Sequence, residues 1–121
     1  MDKLTSLVDR YIAMWNERDA GRRRDLIAGI WTQVASYVDP LMRGDGHGGI
    51  AAMVEGVQAR FPNHRFVRTS DVDAHHERIR FSWALAPERG AAIVKGVDFG
   101  VVSGDQLRQI TGFIDQMPAS N

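Results

Sequence analysis

Two aspartates in this chain stand where a carboxyl group could move a proton. Asp39 comes directly before Pro40 at the end of a short predicted strand, and Asp98 lies in the middle of a long one. An Asp-Pro pair commonly forms a turn in which the carboxylate binds nearby backbone N–H groups. The alternative for Asp39 is a general base at the edge of a pocket. The local sequence leaves both interpretations open.

Asp98 is the more unusual of the two, because aspartate is depleted within strands. Alternation of side chains places it on one strand face with Val94, Gly96, Gly100 and Val102. The opposite face carries Ile93, Val97, Phe99 and Val101. Asp98 could simply face water. We favour the alternative, in which the glycines leave room for a ligand, loss of hydration raises the Asp98 pKa, and the aliphatic face packs against a second copy of the chain.

Aromatic side chains are spaced so that they could line such a pocket. Tyr11 and Trp15 share the apolar stripe of a predicted first helix, and the Tyr11 hydroxyl could reach a buried acceptor. Trp31, Phe81 and Trp83 are further candidates for the pocket lining. The same spacing also fits ordinary core packing, so from Trp15, Trp31, Phe81 and Trp83 we expect lining and not chemistry. Tyr11 is a candidate for chemistry only in the company of Asp98.

Two adjacent histidines could contribute to a site in only one way. His75 and His76 are predicted to point to opposite faces of a strand, so they cannot both bind one metal ion in ordinary geometry. His75 has the same parity as Trp83 and could reach the pocket as a proton carrier, the alternative being an exposed turn. Asp45 and His47 lie in a glycine-rich segment without phosphate-loop spacing, which predicts a turn and a helix cap. We expect no metal ion and no other cofactor.

Helical spacing of apolar residues dominates the first half of the chain. It predicts a first helix over 4–15, a second from about Arg22 that buries residues up to Trp31, and a third over 50–61 that ends at Pro62. A short strand is predicted at 35–39, between the second and third helices.

Strand spacing dominates the second half. Apolar and polar residues alternate over 79–85, and further strands are predicted at 64–72, 91–102 and 107–115. Helices followed by an antiparallel meander predict an α+β fold, in which three N-terminal helices pack on a curved, mostly antiparallel sheet.

Composition limits the classes of function. The 121 residues are expected to form a single domain, and the sequence shows no cysteine, no secretory signal and no membrane-spanning run, which predicts a cytoplasmic protein. Fifteen basic residues balance fifteen acidic ones, so no overall field attracts nucleic acid or an anionic membrane. The arginine run at 22–24 is flanked by Asp19 and Asp25 and is predicted to be a solvated helix face.

Three short segments together resemble one superfamily. They are residues 11–16 (YIAMWN), 37–40 (YVDP) and 95–99 (KGVDF), in this order. The chain resembles the SnoaL-like and ketosteroid-isomerase-like branches of the nuclear transport factor two-like superfamily, and the resemblance extends from the first helix to residues 112–115. It implies a cone-shaped α+β fold with a pocket for a small molecule.

The resemblance also implies roles for three residues. In the isomerase, a tyrosine on the first helix and a carboxylic acid on a late strand form an oxyanion hole, and these positions are matched by Tyr11 and Asp98. An aspartate before a proline moves the proton, and Asp39 matches it. Surroundings that are apolar keep the acid of that oxyanion hole protonated.

The implied function is that of an isomerase, cyclase or hydratase that uses aspartate acid–base chemistry on a small apolar or carbonyl-containing ligand, without a cofactor. Asp115 on the last predicted strand is a reserve acid or base, since related cyclases place their aspartate on a different strand. The alternative is a non-catalytic module of the same fold that binds a small molecule or forms a dimer. An enzyme should hold Asp39 and Asp98 at one ligand-sized cavity, whereas a binding scaffold need not. We expect a homodimer in either case.

Overall fold

Helices form most of the first half of the chain and strands most of the second. The computed structural model describes residues 2–118. Its helices are α1 (Lys3–Asn16), α2 (Ala20–Ile30) and α3 (Gly46–Arg60). Its strands are β1 (Trp31–Val38), β2 (Arg43–Asp45), β3 (His64–Arg68), β4 (Asp73–His75), β5 (Arg78–Pro87), β6 (Val94–Ser103) and β7 (Gln106–Gln116). The α+β class and the three predicted helices are confirmed.

The seven strands form one mixed sheet. Its order is β2-β1-β7-β6-β5-β3, with β4 also paired to β5. The pairing of β1 with β7 is parallel, and the other pairings are antiparallel. Register shifts in the β1–β7 and β6–β7 pairs are irregularities of the kind that bend a sheet. The mostly antiparallel, curved sheet is therefore as predicted.

Helix α1 begins at a well-formed cap and buries one stripe against the sheet. The Asp2 carboxylate accepts a hydrogen bond from the Leu4 N–H at 2.9 Å, which satisfies one of the free donors of the first turn. The predicted apolar stripe is buried from Leu7 to Trp15, and both Val8 and Tyr11 are at most 1% exposed. This stripe fixes where the Tyr11 side chain enters the interior.

Several element boundaries differ from the sequence prediction, and two of them bear on the site. Trp31 is buried as predicted, but it begins β1 instead of ending the second helix. Its side chain continues the helical spacing of Ile27 and Ile30, so nothing local marks the change. Helix α3 begins at Gly46 and not at Ile50, and its first turn contains three glycines that are poor helix formers in isolation.

The arginine run at 22–24 is not a uniformly solvated face, which corrects that prediction. Arg22 and Arg24 are exposed, but Arg23 is only 4% exposed. Its guanidinium donates to the Glu17 carbonyl at 2.8 Å and to Gln58 Oε1 at 2.9 Å. Arg23 therefore joins the α1–α2 connection to α3. Among the described residues, no helix has the length and apolar character needed to cross a membrane.

Candidate functional site

A cavity of about 470 Å³ is lined by side chains of α1, α3 and the sheet. Helix α3 contributes one stripe to it, which we call the α3 stripe: Gly49, Ala52, Met53, Gly56, Val57 and Arg60. These residues follow the i, i+3, i+4 spacing of one helix face. Three of the six are glycine or alanine, so the helix approaches the cavity without filling it. The volume is in the range of pockets that hold small organic molecules.

Asp98 is the buried acid of this cavity. It is 3% exposed, and both of its oxygens accept hydrogen bonds. The Tyr11 hydroxyl donates to Oδ2 at 2.8 Å, and the Trp83 indole N–H donates to Oδ1 at 2.9 Å. Burial raises the pKa of Asp98 to about 7, aided by the nearby Asp39 charge and opposed by the two hydrogen bonds. Asp98 can therefore exchange its proton near neutral pH.

Local strand structure explains why these three side chains meet. Asp98 lies mid-strand on the face of β6 that also buries Val94 and Val102. Trp83 faces Gly96 across the β5–β6 pair, and a β-carbon at Gly96 would overlap the indole ring. Glycine at this position therefore lets Trp83 lie across β6 and reach the carboxyl group.

Asp39 is a second acid of the same cavity, at the end of β1. Its Oδ2 accepts the Tyr37 hydroxyl at 2.7 Å, and its Oδ1 accepts the backbone N–H groups of Leu41 at 2.8 Å and Met42 at 3.1 Å. The side chain thus forms the Asp-Pro turn and also lines the cavity. The two interpretations of Asp39 are therefore compatible.

The two acids meet over Gly112 on β7. A β-carbon built on this glycine would lie 2.9 Å from Asp98 Oδ1, 3.1 Å from Tyr37 Oη and 3.2 Å from Asp39 Cβ. Any side chain at position 112 would therefore push between the two carboxyl-bearing residues. Gly112 is the structural condition for their proximity.

The two tyrosines of the cluster stay protonated donors at neutral pH. Burial raises the pKa of Tyr11 well above its ordinary value, and the Asp98 charge acts in the same direction. Burial also raises the pKa of Tyr37, and the charges of Asp98 and Asp39 raise it further. Each hydroxyl therefore serves one carboxyl group as a hydrogen-bond donor.

The structure brings five of the predicted site residues to the cavity. These are Tyr11, Trp15, Asp39, Trp83 and Asp98. Trp31 and Phe81 do not line it. They pack against Tyr11 from beneath, with ring centroids at 5.9 Å and 5.8 Å, and are core residues.

His75 and Asp115 lie away from the cavity, which corrects the expectation that His75 reaches it. His75 is exposed on β4, and its ring contacts His76. The parity argument fails because His76 and Glu77 have positive φ angles and form a turn between β4 and β5. Asp115 is exposed on β7, outside the cavity lining.

Sequence reasoning missed three features of the site. Tyr37 was part of a recognised segment, but its hydroxyl pairs with Asp39 only because the two residues flank a strand end. Gly112 gave no signal, since its neighbours come from β1 and β6. The α3 stripe was visible as helical spacing, but its small residues could also have meant close helix packing.

Two arginines complete the charges of the cavity. Arg43 pairs with Asp45, with Nε 3.2 Å from Oδ2. Arg60 is exposed at the end of α3, and its guanidinium carbon lies 5.7 Å from the Phe61 ring centroid. The cavity therefore combines an apolar wall, two acids and two cationic groups.

The chain has clear relatives among solved structures. No protein-family model matches it, and no curated protein matches it in sequence. A candidate isomerase of the SnoaL-like family from Agrobacterium tumefaciens strain C58 is 38% identical, with a TM-score of 0.90 over 95% of this chain and 99% of that one.

Two more distant structures share the architecture. One is a candidate ketosteroid isomerase from Kribbella flavida, which is 16% identical with a TM-score of 0.70 over 98% of this chain and 82% of that one. The other is a candidate SnoaL-like polyketide cyclase from Jannaschia sp. CCS1, 16% identical with a TM-score of 0.68 over 92% and 86%. These two matches show the fold.

Proposed function

The chain belongs to the SnoaL-like family, and on that premise we propose that it is an isomerase or cyclase that moves a proton on a small carbonyl compound. The observation that supports this best is the position of its acids. Asp39 and Asp98 line one cavity of about 470 Å³, and atoms of both lie within 3.2 Å of a single point above Gly112. A scaffold that only binds a ligand does not require two acids at one cavity.

Asp39 is the base in this proposal. A carboxylate offers about four lone-pair positions, and Tyr37, Leu41 and Met42 occupy three of those of Asp39. The fourth can accept a proton from the carbon next to a substrate carbonyl. The three hydrogen bonds hold the carboxylate in place, which preorganises it for this transfer.

Tyr11 and Asp98 form the group that receives the developing enolate. Because the Trp83 N–H occupies Oδ1, the proton of neutral Asp98 belongs on Oδ2, where it is donated to the Tyr11 oxygen. The Tyr11 hydrogen is then free to bind the substrate oxygen. With an Asp98 pKa of about 7, the neutral form that this arrangement needs is accessible near neutral pH. A donor aimed at a developing oxyanion is worth about 10²- to 10³-fold in rate.

Exchange of protons next to a carbonyl with deuterated water tests this function without knowledge of the substrate. We expect the protein to accelerate exchange in at least one member of a panel of apolar cyclic ketones, followed by proton NMR. Asp39→Asn should lower the rate by about 10²- to 10⁴-fold, as for loss of a general base. Tyr11→Phe should lower it by about 10²-fold.

Asp115→Asn is the matched control, because it removes an exposed carboxyl group outside the cavity. It should leave the exchange rate unchanged. The Trp83 indole N–H resonance reports binding independently, since it donates to Asp98 at the cavity wall. Ketones that shift this resonance but do not exchange faster than in buffer would refute the proposal.

A further inference from the structure

Arg60 is a cation of the cavity without a described partner. Among residues 2–118, no carboxylate lies within 4.0 Å of its guanidinium. Its described contact is the face of Phe61, itself a cavity residue. Stacking on an aromatic ring orients a planar guanidinium and leaves its N–H edge available for an anion.

Arg43 differs in both position and pairing. It precedes Gly44, whose β-carbon position contacts the Gly49 carbonyl near the start of α3. Arg60 ends the same α3 stripe, eleven residues after Gly49, which corresponds to about 16 Å along a helix. The Arg43 guanidinium is already bound to Asp45. Arg60 is therefore the arginine of the cavity lining that no described carboxylate engages.

The acids of the cavity determine which way an anionic ligand would point. Asp39 and Asp98 lie together above Gly112, and a ligand carboxylate beside Asp39 would meet a like charge. The α3 stripe, which ends at Arg60, also presents Met53, Val57 and its small residues to the cavity. An apolar segment fits that wall, with the anionic end at Arg60.

We propose that the ligand of this cavity is an amphiphilic acid, namely an apolar carbonyl compound that also bears a carboxylate, and that Arg60 binds this carboxylate. The position of the carbonyl rests on the proposed function, whereas the carboxylate contact rests on Arg60 alone. A guanidinium binds a carboxylate through two parallel hydrogen bonds, which gives orientation as well as affinity. Arg60 would thus select the substrate class and direct the carbonyl to the acids.

The test compares ω-phenylalkanoic acids of four to eight carbons with their primary amides, at pH 8 and low salt. Calorimetry gives the affinity, and the Trp83 indole resonance locates the ligand. We expect the best acid to bind at least tenfold more tightly than its amide. Arg60→Gln should remove this preference and Arg60→Lys should retain part of it. Both variants should fold because the side chain is exposed.

Arg43→Gln is the matched control and should keep the preference for the acid. The inference is overturned if acids and amides bind the wild type equally, if neither binds, if Arg60→Gln keeps the preference, or if Arg43→Gln loses it. Asp39→Asn separates this inference from the proposed function. It should slow proton exchange by about 10²- to 10⁴-fold while leaving the preference for the acid intact.

Discussion

Replacing the buried acid by its neutral isostere should stabilise the protein above neutral pH. Asp98 is 3% exposed, and burial raises its pKa to about 7 from an ordinary value of 3.8. The folded state therefore binds a proton more tightly than the unfolded state does. The free energy of unfolding should fall as the pH rises from about 4 to about 7, and should then level off. Asp98→Asn removes this dependence.

The size of the effect follows from the same pKa values. At 1.36 kcal/mol for each pKa unit, raising the pKa from 3.8 to about 7 corresponds to a penalty on the order of 4 kcal/mol for the ionised form. Imperfect hydrogen bonding by asparagine reduces the gain, so we expect Asp98→Asn to be more stable by about 2–4 kcal/mol at pH 8. At pH 4 the gain should vanish, because Asp98 is then neutral in the folded state.

The site can accept the asparagine. Its amide oxygen can accept the Trp83 N–H, and its amide nitrogen can donate to the Tyr11 oxygen, so neither group of position 98 is left unpaired. The hydroxyl hydrogen of Tyr11 is then directed into the cavity. This arrangement preserves the volume of the side chain and avoids the overpacking that would obscure the electrostatic gain.

Urea unfolding of the wild type and of Asp98→Asn at pH 4, 6 and 8 measures the effect. Asp115→Asn, which alters an exposed carboxyl group on β7, serves as the control and should follow the wild-type pH dependence. Carboxyl-carbon NMR should show Asp98 titrating near 7. An Asp98 titration near 4, together with an asparagine variant no more stable at pH 8 than at pH 4, would refute the argument from burial.

Three further expectations concern packing. Gly112→Ala should destabilise the fold by about 1–3 kcal/mol in urea and weaken ligand binding, because the new methyl group would lie 2.9 Å from an Asp98 oxygen; unchanged stability and binding would contradict it. Arg23→Ala should cost about 1–3 kcal/mol by the same assay, whereas Arg24→Ala should be nearly neutral, and equal losses would contradict the buried role of Arg23. Phe99 is 41% exposed and packs edge-to-face with a second exposed aromatic ring, so it should lie in a homodimer interface. Sedimentation should show that Phe99→Glu dissociates the dimer. A monomeric wild type would exclude this interface.

The orientation of the main acid could be predicted from the sequence because it depends on local periodicity. Alternation along β6 placed Asp98 on the same face as Val94 and Val102, and all three are buried. Helical spacing placed Tyr11 and Trp15 on one stripe of α1, which is buried as predicted. In both cases the face of a single element decides the outcome.

How deeply a side chain is buried, and which distant residues it contacts, could not be predicted in this way. Phe81 and Trp83 share a strand face, but only Trp83 lines the cavity while Phe81 packs beneath Tyr11. In the sequence Arg23 belongs to a basic run of the kind that is usually exposed. In the structure it is buried because Gln58, 35 positions later, provides an acceptor for its guanidinium. Residues far apart in the chain determine these outcomes, and a single sequence does not record which ones come together.

The parallel pairing of β1 with β7 determines when the cavity can form during folding. Tyr37 aligns with Ile110, so this pairing closes a loop of more than seventy residues. Gly112 follows on β7, and its lack of a side chain lets the two acids approach each other. Contacts so distant in sequence carry a large loop-closure cost and slow the folding of a domain. Until β7 pairs with β1 and β6, the elements that precede it in the chain cannot fully bury their apolar faces. A nascent chain that stops before β7 would lack the strand over which its two acids meet and would expose apolar surfaces that chaperones recognise.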